Sequence, residues 1–147
     1  MKKTIVLSLF LLFCAAPLLA DGHEEAAIKK LIEESYVHGA FNELNPEAMR
    51  AGFHPDFAIY SADGEAIKKY PIVTWSDGVA KRKAAADFDP AGNKWEHTFV
   101  SVDVTGGSAA VKIELSNDGK LKYTDYLSLL KFDSGWKIVA KVYHSHK

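Results

Sequence analysis

The sequence predicts an α+β domain, a curved antiparallel sheet with three helices gathered on its concave side. Three observations predict it. Apolar residues recur at helical spacing between Glu24 and Phe41, and four segments with two-residue alternation follow Gly92. Turn-forming residues join those segments at Gly106-Gly107, Asp118-Gly119 and Asp133-Ser134-Gly135. Helical segments precede the long run of strands, the order that puts helices on one face of an antiparallel sheet.

The elements follow in chain order. Residues 1–20, MKKTIVLSLFLLFCAAPLLA, read as a secretory signal peptide: two lysines, an uncharged apolar run and a small residue, Ala20, before the polar DGHEE. Cleavage is expected after Ala20, which leaves residues 21–147 as a single domain, periplasmic or secreted. Cys14 follows the bulky Phe13, which argues against lipidation, and as the single cysteine it leaves with the leader. The mature domain then has no disulfide, thiol nucleophile or thiolate ligand, so an ordinary core must hold it. At 48% apolar residues, that core is within reach. The formal net charge moves from −1 to −3 when Lys2 and Lys3 are lost, which makes nucleic acid an unsuitable partner.

Ile28, Leu31, Ile32, Tyr36 and Ala40 line one side of the first helix, with Lys29, Lys30, Glu33 and Glu34 on the other. Asn45-Pro46-Glu47 supplies a capping side chain and a proline at the first helical position, and His54-Pro55 ends this second helix. A hairpin is expected from Phe57–Ser61 and Glu65–Tyr70 around Ala62-Asp63-Gly64. Thr74-Trp75-Ser76-Asp77 then resembles a capping box and starts a third helix that runs to about Phe88. The last four segments form a meander.

The turns also predict the faces. A three-residue loop at Asp133–Gly135 pairs Phe132 with Trp136, Leu130 with Ile138, Ser128 with Ala140, Tyr126 with Val142 and Thr124 with His144. Two-residue turns at Asp118-Gly119 and Gly106-Gly107 add Leu115, Ile113, Val111, Val102, Val100 and Thr98 to this face, taken as concave. The opposite face receives Tyr123, Asp125, Lys141, Tyr143 and His97, with an apolar patch of Phe99, Leu127, Leu129 and Val139. A bulge between Asp118 and Asp125 would reverse the assignment.

The element order, HPDF at His54 to Phe57, and YTDYLSLLKFDSGWKIVAKVY from Tyr123 to Tyr143 together resemble the nuclear transport factor 2-like superfamily. More narrowly, the chain is similar to the bacterial putative lumazine-binding family. The resemblance covers essentially the whole mature chain and implies a cone closed on one side by helices, with a pocket inside. Members of the superfamily include ketosteroid isomerases, polyketide cyclases, dehydratases and epoxide hydrolases, and generally require no cofactor. The resemblance also implies a homodimer formed through the sheet, here through Phe99, Leu127, Leu129 and Val139.

Tyr36, Tyr60, Trp75 and Tyr126 come from four elements and have polar tips suited to a flat, partly polar ligand. His144 closes the expected concave face and is a candidate base near neutral pH, as is His54 beside Asp56 where the second helix meets the sheet. The bland account of these residues is core, rim and turn. Neighbours on a strand face opposite ways, so Asp125 and Tyr126 cannot line one pocket, and Asp125 is expected in an ion pair or hydrogen bond near Lys141 and Tyr143. His144 and His146 share a face, but His97 is three strands away, about 14 Å, so no metal site is expected. The chain carries no GxSxG, HExxH, phosphate loop or dinucleotide fingerprint. The expected function is therefore binding of a small hydrophobic or aromatic molecule in the cone, without cofactor or membrane. Two alternatives stand beside it. One is a cofactor-independent isomerase, cyclase or dehydratase with His144 or His54 as base and Tyr126 as donor to an oxyanion. The other is a homodimeric interaction module without ligand.

Overall fold

A computed structural model describes residues 16–147, with side chains from residue 22. Most of the expected leader, including Cys14, lies outside the described residues. Among those residues no helix is long and apolar enough to cross a membrane.

The first helix, α1 (Ala16–Ile32), passes directly into a π-helical continuation, Glu33–Asn42. Ile28, Ile32, Tyr36, Val37 and Ala40 are buried along it, close to the stripe its spacing predicts. The wider winding ends with the Glu43 amide donating to the His38 carbonyl at 2.8 Å. Asn45 then caps α2 (Pro46–Gly52), its Oδ1 accepting from the amides of Glu47 and Ala48, each at 3.1 Å, with Pro46 in the first turn. Close approach fixes where α2 sits: a β-carbon on Gly52 would lie 2.0 Å from Ser35 Oγ.

Strands β1 (Phe53–Asp63) and β2 (Ala66–Pro71) form the first hairpin, closed one residue later than expected, with Asp63 opposite Ala66 and Gly64 at φ 60°. The third helix, α3 (Ile72–Lys83), starts directly after Pro71 with no side-chain cap, two residues ahead of the Thr74 start read from the sequence. The fixed φ of Pro71 ends the strand and leads into the helix. Strands β3 (Trp95–Thr105), β4 (Ser108–Asn117), β5 (Lys120–Phe132) and β6 (Gly135–Ser145) make the expected meander.

The six strands form one sheet in the order β2-β1-β6-β5-β4-β3. It is not antiparallel throughout: β1 and β6 run parallel, Ile59 beside Lys141. Hairpin and meander thus join through the last strand.

Single extra residues decide which side chains meet the helices. Phe132 pairs with Gly135, so the turn is the two-residue Asp133-Ser134, and Val139 is the extra residue in β6 between Leu129–Ile138 and Ser128–Ala140. The shorter turn and the bulge cancel, so the expected pairs Ser128–Ala140, Tyr126–Val142 and Thr124–His144 hold, while Phe132–Trp136 and Leu130–Ile138 do not. On the other side of β5, Leu115 pairs with Tyr123 and Ser116 with Leu121, leaving Lys122 extra. Val100 plays the same part in β3.

Each bulge reverses the faces beyond it. Leu115, Ile113, Val111 and Val102 face the helices as expected, and so do Trp136 and Ile138. Tyr123, Asp125, Leu127, Leu129 and Lys141 also face inward, however, with His97 and Phe99 beside them. The patch expected to mediate a homodimer is therefore not an outer surface. Leu127 and Leu129 are 1% exposed, Phe99 packs on the core with Lys29 over its ring, and Val139 is the half-buried bulge. The outer face instead presents Tyr126, Val142, Val100 and Leu130, all more than a third exposed.

Each buried Leu or Ile contributes about 1.5–3 kcal/mol relative to exposure, so the assignment has measurable consequences. Leu127→Ala is expected to lower unfolding stability by about 2–5 kcal/mol in urea titrations. Tyr126→Ala, one residue away, should change it by less than about 1 kcal/mol. The opposite ranking would restore the faces read from the turns.

Candidate functional site

Tyr36, Asp125 and Lys141 meet inside the cone, brought there by the π-helix, β5 and β6. Asp125 pairs across the ladder with Tyr143 and Leu127 with Lys141, so the acid and the amine are diagonal neighbours on the inner face. Lys141 Nζ lies 3.1 Å from Asp125 Oδ1 and donates to the Tyr36 hydroxyl at 2.5 Å. The Tyr36 hydroxyl in turn donates to Asp125 Oδ2. Tyr36 and Asp125 are fully buried and Lys141 is 4% exposed. Asp125 Oδ1 receives the lysine charge but no aligned hydrogen bond, so one buried acceptor is left open.

Aromatic rings surround the amine. Nζ lies 4.8 Å from the ring centroid of Tyr36, 5.1 Å from Tyr143, 5.6 Å from Trp75 and 6.0 Å from Tyr123. Such faces attract an ammonium through their quadrupoles. Below the triad, Trp75 meets Phe53 and Phe57; above it, Tyr123 stacks on Trp95 at 5.9 Å and touches Tyr143. Tyr143 is 44% exposed and lines a surface depression of about 510 Å³ with Tyr60, Ala62, Ile67 and Val142. Tyr143 thus meets solvent while its ring lies over the lysine.

Burial lowers the Lys141 pKa, and the Asp125 charge and hydrogen bonding only partly oppose it. Burial also raises the Tyr36 phenol well above its usual range, reinforced by the charge and hydrogen bond of Asp125. The centre therefore combines an amine made less basic, a carboxyl group and a neutral phenol that can pass a proton between them.

Of the residues singled out in the sequence, Tyr36 and Trp75 reach this centre. Tyr60 lines the depression beyond Tyr143, with Lys69 Nζ 5.8 Å from its ring centroid. Tyr126 stands on the outer face, 49% exposed beneath Lys112, because the Lys122 bulge turned it outward. His144 is exposed against His146 on that same side, so neither it nor Tyr126 can serve the base and oxyanion-donor roles inside the cone. His54 stacks on Phe132 at 4.9 Å and accepts from the Asp56 amide at 3.1 Å, making it part of a local turn. Asp125 has the neighbours the sequence suggested, Lys141 and Tyr143, on the opposite face. Lys141, Tyr123 and Tyr143 were missed as site residues; the signal was a lysine set between Ile138-Val139-Ala140 and Val142 in β6.

A family model described as Putative lumazine-binding matches residues 23–144. The chain is 35% identical over 109 residues to a Cladobotryum sp protein named Aldolase FrzH, covering 73% of this chain and 81% of that one. It is similar in structure to an NTF2-like protein of unknown function from Shewanella baltica, with TM-score 0.67, 22% identity, and coverage of 88% of this chain and 96% of that one. A second such protein, from Silicibacter pomeroyi, gives TM-score 0.66 and 19% identity over 86% of this chain and 98% of its own. At these identities the two structures share the fold alone. NTF2-like denotes the nuclear transport factor 2-like cone.

Removing one member of a buried pair leaves the other charge without compensation. Asp125→Ala should cost about 3–5 kcal/mol, whereas the double variant Asp125→Leu/Lys141→Met should recover most of that loss in urea titrations. Equal losses in both would mean that the pair itself stabilises the fold. Tyr36 adds a pH signature. Its folded pKa lies above its unfolded value near 10, so its contribution is complete below pH 10 and declines above it as the unfolded chain releases the proton. Lys141 acts in the opposite sense, its unfavourable contribution easing as pH rises from its lowered folded value towards 10.5. The stability gap between wild type and Tyr36→Phe should therefore narrow as pH is raised beyond 10; a gap that widens would contradict the assignment.

Proposed function

The chain belongs to the Putative lumazine-binding family of nuclear transport factor 2-like proteins, and on that premise we propose that it is an exported domain that binds a small, flat, aromatic or hydrophobic molecule against the Lys141–Asp125–Tyr36 centre. The observation that carries this reading is the buried amine–carboxyl–phenol group enclosed by aromatic rings. Stability alone is a weak reason to keep it, because hydrophobic side chains of similar volume commonly stabilise as well as a buried ion pair. Ligand sites instead combine apolar walls with a few convergent polar groups. The open acceptor on Asp125 suits a ligand N–H or O–H, and the rings of Tyr123, Tyr143 and Trp75 suit a heteroaromatic such as lumazine. A ligand would enter from the depression beside Tyr60 by displacing the Tyr143 ring, whose centroid lies 5.1 Å from Lys141 Nζ.

A second reading is favoured by the relative named an aldolase: carbon–carbon bond chemistry beside a carbonyl group, with the same centre as acid and base. Export rests on residues 1–20, whose pattern is that of a leader. Self-association through the sheet would use Tyr126, Leu130 and Val142 on the outer face.

Native mass spectrometry of the protein purified from its own cells is expected to give the mass of residues 21–147 plus a small molecule. Lumazine added to ligand-free protein should quench tryptophan fluorescence saturably, through Trp75, and Lys141→Met should weaken binding about 10-fold, as loss of a charged hydrogen bond does. No retained molecule together with no saturable quenching would overturn the binding reading.

A further inference from the structure

We propose that Lys141 is an amine nucleophile that forms a reversible iminium with a small aldehyde or ketone entering past Tyr143. This deepens the small-molecule reading above and rests on it. Three features of the structure converge on it.

First, the lysine is not arranged as an anion receptor. Its charge is already met by Asp125 at 3.1 Å, and its remaining surroundings are aromatic faces, which repel an anion. A ligand with a carboxylate or phosphate would compete with Asp125 in a buried site. An uncharged carbonyl group would not.

Second, the groups in contact with Nζ are the ones that condensation of an amine with a carbonyl requires. Lys141 passes a proton to Asp125, and the free amine pair attacks the carbonyl carbon while the C=O π pair moves to oxygen. That oxygen takes a proton from the Tyr36 hydroxyl, which lies 2.5 Å from Nζ, giving a carbinolamine. Loss of the second amine proton and of the hydroxyl, protonated by the Asp125 carboxyl, releases water and leaves C=N⁺. The balance closes: the ammonium gives up two protons, the carbonyl gives up its oxygen, the product keeps one positive charge, and no oxidant or reductant takes part. Tyr36 recovers its proton from the amine through the same short path.

Third, the nucleophile must spend time as a neutral amine, and burial favours that form of Lys141. The exposed lysines of the chain lack this environment. The iminium would then draw electrons from the neighbouring carbon, with the Asp125 carboxylate beside it as base. This is the carbonyl chemistry that the aldolase-like reading requires.

The test is borohydride trapping of the full-length protein with acetone, and separately with 4-hydroxybenzaldehyde, followed by peptide mapping. Lys141 is expected to carry the secondary amine at neutral pH several-fold in excess of any exposed lysine. Tyr143→Ala, which removes the ring over Nζ, should speed trapping at Lys141 and leave the exposed lysines unchanged. Adducts spread evenly over the lysines, or an unmodified Lys141 in protein that still binds lumazine, would overturn this proposal and leave the binding reading standing. Failure of both trapping and lumazine binding would overturn both.

Discussion

The inner face of the sheet depends on a strict rule: successive side chains point to opposite sides, so one extra residue reverses everything beyond it. Lys122, Val139 and Val100 are three such residues, each in a different strand. Together they turn Leu127, Leu129 and Ile138 onto the helices and bring Asp125 and Lys141 into one plane. Bulges also bend and twist a strand locally, which lets a long sheet wrap a helix instead of lying flat. The same devices therefore make the cone and choose what lines it.

The polar centre is the second consequence. Asp125 and Lys141 belong to adjacent strands, and Tyr36 comes from a helix far away in sequence. The π-helical run carries Tyr36 in its first turns, and such windings often occur where a helix must aim a functional side chain. Packing Phe53, Phe57 and Trp75 beneath the triad removes water from one side, so the three polar groups interact with one another more strongly than they would in solvent. Tyr123 and Tyr143 shield the other side.

Much of the architecture was legible in the sequence because it rests on local chemistry. Asn45-Pro46 caps a helix, Asp118-Gly119 closes a hairpin with both residues at positive φ, and the alternation after Gly92 marks strands whatever their partners. The parallel contact between β1 and β6 was hidden, because neither strand carries a mark of its neighbour. The faces were hidden for a different reason. Apolar residues stand on both sides of β5, with Tyr126, Leu130 and Phe132 outside and Leu127 and Leu129 inside, so pattern alone cannot tell core from surface. Tyr36 and Trp75 were found because bulky aromatics on helices usually face inward. Lys141 was read as a neighbour of Asp125 on the outer face and not as a site residue, because a lysine on a strand normally faces solvent.

The parallel pairing has a temporal meaning as well. β6 follows the other five described strands in the sequence, yet it sits in the middle of the sheet, between β1 and β5. Among the described residues the hairpin and the meander share no other strand-to-strand seam, so the cone cannot close until β6 has been made. Contacts between distant parts of a chain form late and slowly. Until β6 emerges, a nascent chain of this design holds a hairpin and a three-stranded meander with no seam between them, and one strand completes both at once.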